Sequence, residues 1–89
     1  MRIKKGFMKR KIGDKYLVVT TGELSRRENM FIEMNETSSE IWDMISKGYE
    51  AQRIAESLSK KYGIERDKAR SDVDKLIASM KEAGVFEDE

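Results

Sequence analysis

The stretch from Met30 to Ile45, MFIEMNETSSEIWDMI, constrains the fold most, because it joins a strand pattern to a helix pattern with no spacer between them. In its first five residues, Met30, Ile32 and Met34 alternate with Phe31 and Glu33, and period-two alternation is typical of a strand with one face on a core. The sequence therefore predicts a strand over Met30–Met34, with those three side chains directed toward the core.

A helix is predicted to begin directly after this strand. Thr37 and Glu40 have the spacing of a capping box, in which the hydroxyl and the carboxylate each satisfy a free backbone N–H. Trp42 and the isoleucines on either side of it then fall on one helical face, so we expect Trp42 in the core. Gly48 ends the helix, since glycine adopts the left-handed conformation without strain.

Two further strands are predicted before this stretch. Phe7–Ile12 and Lys15–Thr20 flank Gly13-Asp14, a dipeptide suited to a two-residue hairpin turn. The polar segment Thr21–Asn29 is predicted to be a loop that leads into the third strand. The last strand of this meander is therefore expected to lie at an edge of the sheet.

Two more helices are predicted after it, one over Glu50–Tyr62 that stops at Gly63, and one that begins near Asp67 and ends at Gly84. Their apolar stripes consist of Ile54, Ala55, Leu58 and Tyr62 in the first and Val73, Leu76, Ile77 and Met80 in the second. Three strands followed by three helices predict an α+β fold in which helices cover one face of a three-stranded antiparallel sheet.

The composition excludes most catalytic chemistry. The chain has no histidine and no cysteine, which removes the commonest general base, the commonest metal ligand and the strongest nucleophile. Its glycines are scattered, so no glycine-rich phosphate loop is present. Acids such as Asp72 and Asp74 stand two apart on a helix and do not face each other. We therefore expect a protein that is not an enzyme, with no catalytic residue, no metal and no cofactor.

The chain has the composition of a small soluble domain. It has 89 residues, of which 38% are hydrophobic and 39% charged, and its net charge is +1. No global field therefore draws it to nucleic acid or to a membrane. The longest apolar run, Tyr16–Val19, is far shorter than a membrane span, and the lack of cysteine fits a reducing compartment. We expect one cytoplasmic domain over residues 1–89.

Charge is unevenly placed along this domain. Residues 1–15 contain seven lysines and arginines against the single acid Asp14, whereas the chain ends in Glu87, Asp88 and Glu89. The basic stretch has two interpretations. It is either an edge strand that charged side chains protect from unwanted pairing, or a docking surface for an acidic partner.

The last helix argues against DNA binding. From Glu65 to Glu82 it carries five basic and five acidic residues. A recognition helix with this composition would place acids against phosphates, which costs affinity. Pairs such as Arg70–Asp74 are instead typical of a solvent-facing helix.

The edge strand is a better candidate for binding. An exposed edge beside a helix can accept an extended peptide as an extra strand, in which backbone hydrogen bonds give affinity and side-chain pockets give specificity. Phe31 and Glu33 point away from the apolar set of Met30–Met34, so the strand has features on both faces. By helical geometry one flank of the last helix consists of Arg70, Asp74, Ile77 and Lys81.

Three segments of the chain resemble the PqqD-like family, which includes recognition domains for ribosomally made, modified peptides. The segments read KGFMKRKIGDKYLVV, MFIEMNETSSEIWDMI and IAESLSKKYGIERDKARSDVDKLIASMKEAGVF. The most specific piece, MNETSSEIW, is similar to the family pattern LNETGAxIW, with substitutions that include Met34 and Ser38. The resemblance extends from Lys5 to Phe86.

The resemblance implies a fold related to winged helix-turn-helix domains. It also implies that the leader segment of a precursor peptide binds as a fourth strand beside strand three and against helix three, and is presented to a modifying enzyme, often a radical S-adenosylmethionine enzyme. Carried over, the peptide-binding residues are Met30, Phe31, Ile32, Glu33, Met34, Arg70, Asp74, Ile77 and Lys81. The opposite helix flank, with Asp72, Ser79 and Ala83, is the alternative.

These observations lead to one hypothesis and two rivals. The hypothesis is a non-catalytic chaperone that holds a precursor leader by strand addition and delivers it to a modifying enzyme. The first rival is a winged-helix DNA-binding regulator, which the mixed charge of the last helix disfavours. The second is a homodimer formed through the same edge strand, because an unpaired edge can pair with its own copy.

Overall fold

The computed structural model describes residues 1–27 and 30–87. Within them the chain forms β1 (Phe7–Ile12), β2 (Lys15–Thr20), α1 (Gly22–Arg27), β3 (Phe31–Met34), α2 (Glu36–Ser46), α3 (Ala51–Tyr62) and α4 (Arg66–Glu82). The three long helices follow the three strands, so the predicted α+β class is confirmed.

The strands form one antiparallel sheet in the order β1-β2-β3. Ile12 pairs with Lys15, which leaves Gly13 and Asp14 as a two-residue turn. Gly13 has a φ of +63° and Asp14 has a negative φ, as in a type II′ turn, whose twist matches that of the flanking strands. The predicted hairpin is confirmed, and its turn fixes the register of β1 on β2.

The helix α1 corrects the prediction that Thr21–Asn29 is a loop. No apolar period marks this helix, and none of its residues is fully buried, so the sequence pattern gave no helix signal. Its charges suit a helix nonetheless, with Glu23 in the first turn and two arginines in the last. Ser25 Oγ also donates a hydrogen bond to the Gly22 carbonyl at 2.7 Å. Residues 28 and 29 of the predicted loop lie outside the described residues.

The strand β3 begins one residue later than predicted. The Thr20 N–H donates to the Met30 carbonyl at 3.4 Å, but the Met30 N–H donates to Thr20 Oγ1, also at 3.4 Å, instead of to the Thr20 carbonyl. The hydroxyl of Thr20 thus takes the place of the Thr20 carbonyl as acceptor for the Met30 N–H, and the regular strand starts at Phe31.

The helix α2 has a different N-cap from the predicted capping box. Asn35 Oδ1 accepts a hydrogen bond from the Ser38 N–H at 2.8 Å, and the helix begins at Glu36. Asn35 is therefore the N-cap, and Thr37 lies inside the first turn instead of before it. The prediction of a Thr37–Glu40 capping box was wrong, because the spacing of these two residues could not show that Asn35 holds the N-cap position.

The chain divides into two compact units, one over Lys4–Glu40 and one that combines Met1–Ile3 with residues from Ile41 onward. In the first unit the buried side chains are Val18, Thr20, Met34 and Ser39. In the second they are Ile41, Trp42, Ile45, Ile54, Ala55, Leu58, Ala69, Val73, Ile77, Met80 and Val85. The core position predicted for Trp42 is confirmed, whereas Tyr62, predicted on the apolar stripe of α3, is 40% exposed.

Glycines end α2 and α4 as predicted. Gly84 donates its N–H to the Lys81 carbonyl, and the next residue, Val85, donates to the Met80 carbonyl, both at 3.0 Å. This pair of bonds is a Schellman motif, and the residues at its two ends, Met80 and Val85, are both buried. Gly48 ends α2 with the same bond pattern.

Candidate functional site

The strand β3 is the edge of the sheet on which strand addition is predicted. It is the last strand in the order β1-β2-β3, and within the described residues no strand pairs with its other side. Its side chains alternate as the sequence predicts. Ile32 and Met34 face inward, and Phe31 and Glu33 are exposed, with 69% of Phe31 accessible to solvent.

The backbone of β3 alternates as well. In an antiparallel pair, residues that exchange hydrogen bonds with the neighbouring strand alternate with residues whose N–H and C=O groups point away from it. The bond from Thr20 to Met30 sets the phase, so Ile32 and Met34 are bonded to β2. The N–H and C=O groups of Phe31 and Glu33 therefore point toward the open edge, where an incoming strand would bind.

The opposite edge of the sheet, β1, has a different character. It carries three consecutive cations, Lys9, Arg10 and Lys11. Lys9 Nζ donates to Ser39 Oγ at 2.6 Å and lies 5.2 Å from the centre of the Tyr16 ring. Cationic side chains along an edge disfavour pairing with further strands. The strand β3 has no cation of its own, so it is the more receptive edge.

The exposed side chains of β3, Phe31 and Glu33, belong to two rows that cross the same face of the sheet, which we call the outer face. Phe31 is opposite Val19, which is opposite Met8, and these three residues form one apolar row. In the next row, Glu33 is opposite Leu17 and Leu17 is opposite Arg10. Both rows end at the open edge of β3.

One ion pair lies on this outer face. Lys15 Nζ is 2.9 Å from Glu33 Oε1, and the hydrogen bond to Glu33, with the attraction of its charge, raises the pKa of Lys15 above 10.5. The two side chains form one wall of a shallow depression of about 210 Å³ that is also lined by Ile12, Tyr16 and Leu17. The carboxylate of Glu33 thus has an ion-pair partner within the chain, although both side chains are largely exposed.

The predicted contacts on α4 are not equally accessible. Arg70 Nε donates to Asp74 Oδ1 at 2.9 Å, which confirms the predicted pair, and Arg70 Nη1 donates to Gln52 Oε1 of α3 at 2.8 Å. Asp74 and Lys81 are exposed, but Ile77 belongs to the buried stripe and is only 9% exposed. On the alternative flank Ser79 is exposed, whereas Asp72 and Ala83 are partly buried.

Sequence reasoning named Phe31 and Glu33 but missed the residues beside them. Leu17 and Val19 are ordinary strand residues of β2, and only the pairing register brings them next to Glu33 and Phe31. The Gly13-Asp14 turn could not have located them, because a two-residue hairpin fixes the register of β1 on β2 but not that of β2 on β3.

Two further properties of the described residues bear on function. Within residues 1–27 and 30–87, no group of three or more acidic side chains is arranged to hold a metal ion. None of the helices in those ranges is both long enough and apolar enough to cross a membrane.

The chain is similar to known proteins at two levels. The sequence profile of the family described as coenzyme PQQ synthesis protein D (PqqD) matches residues 23–85. No curated protein sequence matches the chain. Among solved structures, the fold is similar to that of TbiB1 in complex with the TbiA(β) leader peptide, with a TM-score of 0.78 and 15% identity over 100% of this chain and 98% of that one.

A second solved structure has the same degree of similarity. It is the lasso peptide synthetase B1 complexed with its leader peptide, with a TM-score of 0.78 and 21% identity over 94% of this chain and 93% of that one. At these identities the likeness establishes a common fold. In both cases the structure that shares the fold was determined with a leader peptide bound.

Proposed function

Because this chain belongs to the PqqD family, we propose that it binds the leader segment of a ribosomally made precursor peptide by strand addition to β3. In this role it is a single, non-catalytic recognition domain that presents the leader to a modifying enzyme in the cytoplasm, with a radical S-adenosylmethionine enzyme as the expected partner. The observation that carries the proposal is the open edge of β3, where the backbone groups of Phe31 and Glu33 point away from the sheet.

In the proposed mechanism, backbone hydrogen bonds supply the affinity for the leader and side-chain contacts supply the specificity. The N–H and C=O groups at Phe31 and Glu33 would bond to the backbone of the leader, and such bonds form with any extended sequence. Successive side chains of the bound leader would then point to opposite faces of the sheet, where they contact the neighbouring side chains of β3. These contacts would select the leader sequence. The strand β3 suits this mechanism, because its inward-facing side chains are apolar and its other two side chains are exposed.

The α4 residues form a second set of proposed contacts, which is tested separately from β3. Arg70 is held by Asp74 and Gln52, so it offers a fixed guanidinium, whereas Lys81 is exposed. Ile77 can contribute only the small part of its side chain that solvent reaches. In this proposal the winged-helix-like topology serves peptide binding instead of DNA binding, since acids alternate with bases along α4.

The experiment that tests the proposal is amide hydrogen exchange followed by NMR, with and without the leader of a short peptide gene adjacent to the gene for this chain. Without peptide, the amides of Phe31 and Glu33 should exchange fast, and those of Ile32 and Met34 slowly, because only the latter are bonded to β2. With peptide, Phe31 and Glu33 should become protected and the other two should change little. This alternation is specific to strand addition.

Substitutions of Glu33 supply the matched control. Glu33→Pro removes an N–H that points toward the open edge and leaves the β2 ladder intact, so the protein should fold but lose most of its affinity for the leader. Glu33→Gln keeps the N–H and should bind the leader with nearly unchanged affinity. Protection confined to β1 amides would move the site to that edge. No protection at high peptide excess, with the protein monomeric, would rule out strand addition for that leader.

The same edge is where self-pairing was expected, so leader binding and edge-mediated homodimers would exclude each other. Sedimentation of the free protein therefore belongs beside the exchange experiment. If a dimer formed and the leader dissociated it, both processes would be assigned to β3.

A further inference from the structure

The outer face of the sheet carries an apolar row that stops abruptly at the open edge. Met8, Val19 and Phe31 are opposite one another across the three strands. The two outer members of the row are exposed, Met8 by 45% and Phe31 by 69%. Phe31 is thus the most exposed of the large apolar side chains in the described residues, and it lies on the strand proposed to accept the leader.

An added strand would extend this row by one side chain. In a hydrogen-bonded antiparallel pair, the two residues that exchange bonds have their side chains on the same face of the sheet, close enough to contact each other. Since the backbone groups of Phe31 point toward the incoming strand, the leader residue bonded to Phe31 would direct its own side chain to the outer face. Its two neighbours in the leader would point to the opposite face.

We propose that Phe31 is a specificity-determining residue, which packs against an aromatic or aliphatic side chain of the leader on the outer face of the sheet. This inference rests on the proposed function. Apolar pairing is favoured at this position because Phe31 continues an apolar row, and aromatic cross-strand pairs stabilise a sheet more than polar ones do.

Peptides selected from a random-sequence library by mRNA display on the wild-type protein provide the probe. Those whose binding protects the amides of Phe31 and Glu33 are kept, so that only peptides bound to β3 are compared. Their affinities are then measured for the wild type, for Phe31→Thr and for Met8→Thr. Threonine is a good strand former at both positions, and amide spectra confirm that each variant is folded.

We expect Phe31→Thr to weaken binding about five- to tenfold, and Met8→Thr to leave it unchanged because Met8 is two strands from the peptide. Replacing one apolar peptide residue by alanine should cause the same loss in the wild type and no further loss in Phe31→Thr. Alanine at the adjacent peptide positions should weaken both proteins equally.

The outcomes separate this inference from the proposed function. Equal affinity for the wild type and Phe31→Thr, with Phe31 and Glu33 still protected, would overturn the role of Phe31 and leave strand addition intact. Equal weakening by Phe31→Thr and Met8→Thr would also overturn it, because the loss of affinity would then follow from the apolar character of the whole outer face and not from contact with Phe31. If no selected peptide protected the β3 amides, the proposed function would fail, and this inference with it.

Discussion

At the scale of single residues, Asn35 determines where the strand β3 gives way to the helix α2. Its side chain accepts the Ser38 N–H at 2.8 Å, and the helix starts at the next residue. Asn35→Ala should therefore lower the free energy of unfolding by about 1 kcal/mol, the usual value of an N-cap. Urea denaturation of the two proteins measures this difference.

Thr37→Ala is the control for the cap assignment. Thr37 lies inside the helix, so its replacement should change the free energy of unfolding by less than about 0.5 kcal/mol. A larger loss for Thr37→Ala than for Asn35→Ala would restore the capping box that the spacing of Thr37 and Glu40 predicts.

Gly6 is constrained twice by its surroundings. Its φ of +105° is rare for residues with a side chain, and a Cβ at this position would lie 2.9 Å from Leu24 Cβ. Gly6→Ala should lower the free energy of unfolding by about 2–3 kcal/mol, through backbone strain together with displacement of Leu24. Thermal unfolding followed by circular dichroism measures the loss.

Gly22→Ala separates the two causes. Gly22 has a φ of +59°, but open space surrounds the position of its Cβ. This variant should lose only about 1 kcal/mol, the cost of the left-handed backbone. Equal losses for the two variants would show that contact with Leu24 contributes nothing.

At the scale of elements, the sequence predicts the helices that carry a repeating apolar pattern and does not predict the helix that lacks one. The long helices were predictable because apolar side chains recur along them at helical spacing, and most of those side chains are buried. The helix α1 has no such stripe, and its short polar sequence gives no period to detect. Tyr62 has the spacing of a core residue but lies at the last turn of α3, where the side chain reaches solvent.

The candidate site was predictable in part for the same reason. Alternation of apolar and exposed residues identified β3 and its two faces, since side-chain direction follows directly from the period of two. The direction of the backbone groups depends instead on which pairs exchange hydrogen bonds, which the Thr20–Met30 bond reveals. On α4 the sequence placed Ile77 both on the apolar stripe and on the binding flank, and the structure buries it while Asp74 and Lys81 of the same flank are exposed.

At the scale of the whole molecule, the first and last described segments of the chain are joined. Ile3 and Phe86 form an antiparallel bridge, and the Glu87 N–H donates to the Arg2 carbonyl at 2.8 Å. Removal of residues 86–89 should therefore lower the free energy of unfolding by about 1–2 kcal/mol, through lost backbone bonds and the lost burial of Phe86. Chemical denaturation of the shortened chain measures the effect.

The ion pair at the same place serves as the control. Arg2 and Glu87 are 3.8 Å apart and exposed, so Glu87→Ala should change the free energy of unfolding by less than about 0.5 kcal/mol. A loss from this variant as large as that from the truncation would assign the stabilisation to the ion pair instead of to the backbone bridge.

The shortness of β3 has a kinetic consequence. With four residues, the strand offers an incoming peptide the backbone groups of only Phe31 and Glu33, and a complex held by few bonds has a short residence time. If a leader binds there as proposed, fast release would leave it available to the modifying enzyme, and one copy of the recognition domain would serve several precursor molecules.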